Sequence, residues 1–190
     1  MLEKIPHAVG EALAGLKAGL EKTAYHASFG DVPATISVSS RAFADEAPMP
    51  ARFTEDGAGV SPPLAWRGLP QGAHSVVILI EDADSPTPNP LVHLIVWNLA
   101  GTDDALPEGG IASPNGPGVH LNLGRNSFLR DQYLPPDPPN GHGPHRYVFQ
   151  VYALDQTLDL PASPGRTALL DAMKGHVLAK GRLTGTYARG

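Results

Sequence analysis

Three carboxylates crowd into four residues, Glu81-Asp82-Ala83-Asp84, where the apolar run SVVILIE (75–81) ends. His93 stands third in a second apolar run, LVHLIVWNL (91–99), and His145 precedes a third, RYVFQVYAL (146–154). An Asp that accepts from an imidazole N–H fixes the tautomer and leaves the other ring nitrogen free to face a ligand. Two histidines and one Asp around a hollow walled by Gly and Pro suit a small oxyanion, because imidazole and imidazolium N–H groups donate to its oxygens. The same groups serve general acid–base chemistry. A serine nucleophile is not marked, since Ser61, Ser85, Ser113 and Ser127 lie in loop sequence and none sits in a G-x-S-x-G turn. His and Asp are ordinary zinc ligands, but no HExxH or other close ligand pair occurs on one element, so neither a metal nor a cofactor is expected. Taken singly, His74, His120, His142 and His176 read as solvated or hydrogen-bonded structural residues.

The elements that position these groups follow from periodicity. The runs 75–81, 91–99 and 146–154 are continuous and apolar, the pattern of strands buried on both faces. The connection SPTPNPL is short enough to make the first two close antiparallel neighbours, which brings the end of one beside the start of the next. Asp82 and His93 then come within reach of each other. If the third run neighbours them, His145 joins at the same sheet end. Strict alternation turns Arg146 to the opposite face, where a structural salt bridge is its expected role, and lets Tyr147 and Phe149 carry the His145 face into the core. ATISVSS reads as a short alternating strand and RLTGTYA as a short final one. Residues 167–181 carry Leu169, Leu170, Met173, Val177 and Leu178 at helical spacing, and residues 100–144 read almost wholly as loop.

The chain has 190 residues, no cysteine, 20 Pro, 21 Gly and a net charge of −5. That length suits one domain, or one domain with an appendage. Disulfides and thiolate chemistry are excluded. The charge and the lack of a basic patch argue against nucleic acid as a partner. The N-terminal residues read as a helix over 3–25, with Ile5, Val9, Leu13, Leu16 and Leu20 on one stripe. Its three glycines weaken it, so it needs a surface to pack on, its own domain or a twin subunit. We therefore divide the chain into an N-terminal helical extension, 1–33, and a β domain, 34–190. Glu3, His7 and Glu11 interrupt any secretory h-region. No apolar run reaches the roughly 18 residues of a membrane span. The expected address is cytoplasmic.

SPPLAW, EDADSP, VHLIVWN and GPHRYVFQVYALD occur in this order. Together they resemble the phosphatidylethanolamine-binding protein family, also called the Raf kinase inhibitor protein family, in its bacterial and archaeal branch. RAFADEAPMPARFTEDGAGVSPPLAW is similar to the opening of that branch and AMKGHVLAKGRLTGTY to its ending, so the likeness covers roughly residues 36–188. The family's D-P-D-x-P reads Asp82-Ala83-Asp84-Ser85-Pro86 here, and its G-x-H-R-Y reads Gly143-Pro144-His145-Arg146-Tyr147. Leu91 stands where the family often has Trp, and Pro135 where its G-P-x-P-P begins with Gly. Asp137 stands where this branch often has Cys and adds a carboxylate near the mouth, which would weaken anion binding. The resemblance implies a mostly β fold, an antiparallel sandwich with a C-terminal helix, here with the extra N-terminal helix. It implies a pocket lined by Asp82, His93 and His145, with Asp84, Pro86, Pro138 and Tyr147 completing the ligand-binding set. It implies phosphate or phosphorylated head groups as ligands, a protein partner such as a kinase, and a homodimer. No general enzymatic activity comes with the family. A hydrolase using His93 or His145 as acid or base, and an interaction scaffold with a vestigial pocket, remain as alternatives.

Overall fold

The computed structural model describes residues 7–114, 116 and 118–189. Among the described residues nine strands form two sheets. β1 (Ser37–Ser39), β3 (Leu64–Arg67) and β6 (Asp104–Leu106) make the smaller one, in the order β1-β3-β6. The larger has the order β2-β9-β8-β4-β5-β7, from β2 (Ala47–Pro48), β9 (Val177–Tyr187), β8 (His145–Leu154), β4 (Ser75–Asp82), β5 (Leu91–Ala100) and β7 (Asn122–Gly124). Its pairs are antiparallel except β2 with β9.

Alternation along the central strands supplies two cores. Val76, Ile78 and Ile80 with Tyr147, Phe149 and Val151 meet Leu64 and Trp66 of the smaller sheet. Val77 and Leu79 with Tyr152 and Leu154 meet Ala24, Phe29, Leu169, Leu170 and Met173. Both faces of the larger sheet are thus covered, and all eight residues of β4 are buried. Each fully buried aliphatic or aromatic side chain contributes roughly 1.5–3 kcal/mol.

The second cover is made by α3 (Arg166–Met173) and the N-terminal segment. That segment is not the continuous helix expected over 3–25. Residues 3–6 lie outside the described residues, and α1 spans only His7–Leu13. A single turn, α2 (Ala24–Ala27), follows. The break has a backbone cause: Gly19 sits at φ +107°, which no α-helix contains, and the N–H groups of Ala18 and Gly19 donate to the carbonyls of Ser85 and Ala83. Val9 and Leu16, placed on the expected apolar stripe, are largely exposed.

Buried polar groups fasten the segment instead. The fully buried Glu81 accepts from the Ala24 N–H at 2.7 Å, from Gln150 Nε2 at 2.9 Å and from Arg166 Nε at 2.6 Å. Lys180 Nζ, on β9, donates to the carbonyls of Tyr25, Phe29 and Gly30 and lies 4.1 Å from the Tyr25 ring centre. The helix read at 167–181 ends at Met173, and Val177 and Leu178 already belong to β9, which spans 11 residues rather than a short final stretch.

Candidate functional site

β4 ends, β5 begins and β8 begins at one edge of the larger sheet: Asp82 lies opposite both Leu91 and Tyr147. The three carboxylates of 81–84 part company there. Glu81 turns to the N-terminal segment, as described. Asp84 turns to Arg146, whose backbone N–H and Nε donate to one oxygen at 2.9 and 2.7 Å while Nη2 donates to the other at 2.8 Å; Lys17 Nζ lies 3.2 Å away. Burial pushes the Asp84 carboxyl up, but the hydrogen bonds from Arg146 outweigh it and hold the group down at about 2. Arg146 therefore has the structural role expected of it. Asp82 alone of the three faces the cavity.

The cavity has a volume of about 390 Å³ and is lined by Asp82, Pro86, His93 and His145 together with Ser85 and residues of the loops 126–137. Asp84, Pro138 and Tyr147 do not line it. Pro138 stands behind the wall, its carbonyl accepting from Arg189 Nη1 at 3.0 Å. Tyr147 packs edge-on against His93, ring centres 5.1 Å apart, and lies nearly parallel to His145 at 6.3 Å. The Tyr147 hydroxyl and His93 Nε2 are both buried without a hydrogen-bond partner.

Asp82 and His93 do not pair as their strand positions suggested. The register slips between Ile80 and Glu81, leaving His93 as the extra residue of a bulge between Val92 and Leu94. Its Nδ1–H donates to the Leu134 carbonyl at 2.7 Å, while its own carbonyl accepts from the Leu134 N–H at 2.8 Å. The wall and the histidine thus hold each other. Burial lowers the His93 pKa against the opposing pull of Asp82.

Asp82 Oδ2 instead receives His145 Nδ1 at 2.7 Å. His145 Nε2 lies 2.7 Å from His142 Nδ1, and His142 Nε2 lies 3.2 Å from the Leu16 carbonyl. A carbonyl can only accept, so the last contact takes its hydrogen from His142. Each of the other two contacts also needs one hydrogen. Three hydrogens on three contacts leave either a neutral Asp82 beside two neutral rings or an ionised Asp82 beside one imidazolium. The chain Asp82–His145–His142 is electrically neutral in both cases, and both His145 nitrogens are committed.

His142 read alone as a structural residue, and it is buried and hydrogen-bonded. Its place in the relay had one signal in the sequence. It sits three residues before His145, flanked by Gly141 and Gly143, whose φ values of +77° and +91° bend the loop back on the strand. The partner of Asp137 had no local signal: Arg189, near the other end of the chain, bonds the Asp137 carboxylate and holds Asp56 at 2.6 Å. The extra carboxylate at the mouth is therefore charge-paired.

Residues 39–188 match the sequence profile described as phosphatidylethanolamine-binding protein. The chain belongs to that family. Phosphatidylethanolamine-binding proteins of its bacterial and archaeal branch are its similar relatives. A UPF0098 protein of Pyrococcus horikoshii is 39% identical over 165 residues, covering 84% of this chain and 80% of the relative. Among solved structures, a phosphatidylethanolamine-binding protein homologue from Chlamydia trachomatis superposes with a TM-score of 0.74 at 34% identity, covering 82% of this chain and 99% of that one. E. coli YbcL gives the same TM-score at 25% identity, covering 83% and 100%. The mostly β fold with two sheets and a C-terminal helix is the fold of this family. Among the described residues no helix is long and apolar enough to cross a membrane.

Proposed function

We propose that this protein is a binding module for a small phosphate-bearing molecule and that Asp82, His93 and His145 form its recognition site, with Tyr147 packed against both rings. The observation that carries the reading is the buried, unpartnered Nε2 of His93, on a ring that lines a cavity of ligand size. A buried polar atom without a partner costs about 1–3 kcal/mol, a cost that a bound ligand removes. Leu91, Leu134, Pro135 and Phe128 give the cavity an apolar side suited to the organic part of a phosphorylated head group or metabolite.

A hydrolase is the second reading. His93 Nε2 is the one ring nitrogen of the lining pair open to act as a base, since both nitrogens of His145 are engaged. Of the loop serines, Ser85 lines the cavity, but its hydroxyl bonds the Asp82 carbonyl and Thr87, not a histidine. Titration with inorganic phosphate and then O-phosphoethanolamine, followed at the imidazole nitrogens, tests the binding reading. Saturable shifts at His93 that Asp82→Ala abolishes, with no product formed from a generic phosphoester, support the module. Turnover lost in His93→Ala supports the hydrolase. No shift up to about millimolar ligand, roughly −4 kcal/mol, removes both.

A further inference from the structure

Arg130 and Gln132 bring donors to the cavity lining, but the polar groups that face the His93 ring are weighted toward acceptors. Among the described residues the Asp82 carboxylate meets the Asp84 N–H at 2.9 Å and His145 Nδ1 at 2.7 Å, and it faces the cavity. His145 brings no open N–H. The one N–H of a neutral His93 is spent on Leu134, so the ring presents a lone pair at Nε2. A fully deprotonated phosphate would set its lone pairs against that nitrogen.

We propose that the site takes phosphate in its singly protonated form, the P–OH donating to His93 Nε2, so that one proton is shared between ligand and ring. The proposal rests on the binding reading above and names the protonation state of the ligand. The Leu134 carbonyl is the positioning element, because it forces the tautomer that makes Nε2 an acceptor. The groups facing His93 agree. Asp82 comes from β4, His145 and Tyr147 from β8, and Asp137 from the wall, the last already paired with Arg189. His93 is further disfavoured as a cation by burial. An anion with no proton to bring must instead charge that buried ring. The shared chemistry is a phosphate monoanion, whether free or as a monoester.

Calorimetric titration of the full chain tests this, with inorganic phosphate, methyl phosphate and sulfate at constant ionic strength across pH 5.5–8.5. A phosphate monoester loses its second proton at about pH 6. Affinity for methyl phosphate is expected to be flat below that point and to fall about tenfold per pH unit above it. Sulfate holds no proton in this range. It is expected to bind more weakly than inorganic phosphate by about tenfold at pH 7, and to strengthen continuously as the pH falls. His93→Gln, whose amide can donate, is expected to bring sulfate level with phosphate and to abolish the pH slope for sulfate. Whichever of free phosphate and methyl phosphate binds tighter identifies the source, and either ranking supports the shared proton if both follow these slopes. Equal affinity for sulfate and phosphate in the wild-type chain, or affinity rising with pH, overturns the proposal while leaving the anion site standing. Absence of binding by all three overturns the site as well. The wild-type pH series decides the matter even if the variant does not fold.

Discussion

His142 Nδ1 lies 2.7 Å from His145 Nε2, so the histidine at the sheet edge is tied through the pocket wall to the Leu16 carbonyl of the N-terminal segment. Removing the wall histidine strands a buried N–H or lone pair on His145. His142→Ala is expected to lower stability by about 1–3 kcal/mol in urea denaturation. Unchanged stability would show that the relay contributes nothing to the fold.

Burial lowers the pKa of both His93 and His142, with His145 adding repulsion to the latter. The sign follows: the folded chain holds these rings neutral, while the unfolded chain protonates them near pH 6.5. Their contribution is complete above that pH and is lost as the pH falls through it toward the lower folded values. Melting temperature is expected to drop from pH 7 to pH 5, and His142→Gln to flatten part of that drop. A melting temperature that rises on acidification sinks the assignment.

Arg189 neutralises the carboxylate at the mouth, and its loss should be felt by an anion. Arg189→Ala is expected to weaken phosphate binding by several-fold to about tenfold, on the order of 1 kcal/mol. The double variant with Asp137→Ala restores it. Calorimetry of the two variants decides whether the pair acts on the ligand or only on the fold.

Asp84→Asn leaves Arg146 and Lys17 facing an amide. A loss of about 1–2 kcal/mol is expected, since the amide keeps the buried position but gives up the charge-assisted bonds, while Arg146 and Lys17 are partly exposed and remain solvated. With its carboxyl held down at about 2, the group contributes stability above its unfolded value near 3.9, lost as the pH falls from about 4 to 2. Acid titration of the wild type and of the variant should converge at the lower end of that window.

Deleting residues 1–30 strips Ala24 and Phe29 from the second core and removes the backbone partners of Glu81 and Lys180. A melting temperature lower by at least about 10 °C is expected, or no soluble protein. An unchanged melting curve would mean that the segment is an ornament. Lys180→Met, which fills the same channel without a charge to satisfy, should be far milder.

Three central strands were legible because a sheet covered on both faces writes itself as unbroken apolar runs. β9 was only partly legible. Gly181 and Gly185 interrupt its pattern, and both are demanded by neighbours: a Cβ at Gly181 would meet the Ile36 carbonyl oxygen at 2.1 Å, and one at Gly185 would meet Met49 at 2.5 Å. β2, β3, β6 and β7 are too short to carry a period. Asp82, His93 and His145 were legible as strand-end polar residues. Which of them pair was not, because one bulge at His93 moves it out of line with Asp82. Leu134, Leu16 and Arg189 act from distant stretches, the first two through backbone carbonyls, and nothing local marks them.

The wholly buried β4, bonded to β5 and β8 on its two sides, has amides that solvent reaches only through global opening. Asp82 is its last residue, so the carboxylate that orients the relay is anchored to the slowest-exchanging part of the molecule. Leu134 and His142 lie in a loop outside the sheet ladder, which is expected to open at lower cost than β4. Hydrogen exchange should therefore split the site in two, with a slow floor at Asp82 and a fast wall at 134–142. Ligand traffic then runs on the clock of the wall, and a bound anion that slows exchange at Leu134 while leaving β4 untouched is the signature of that division.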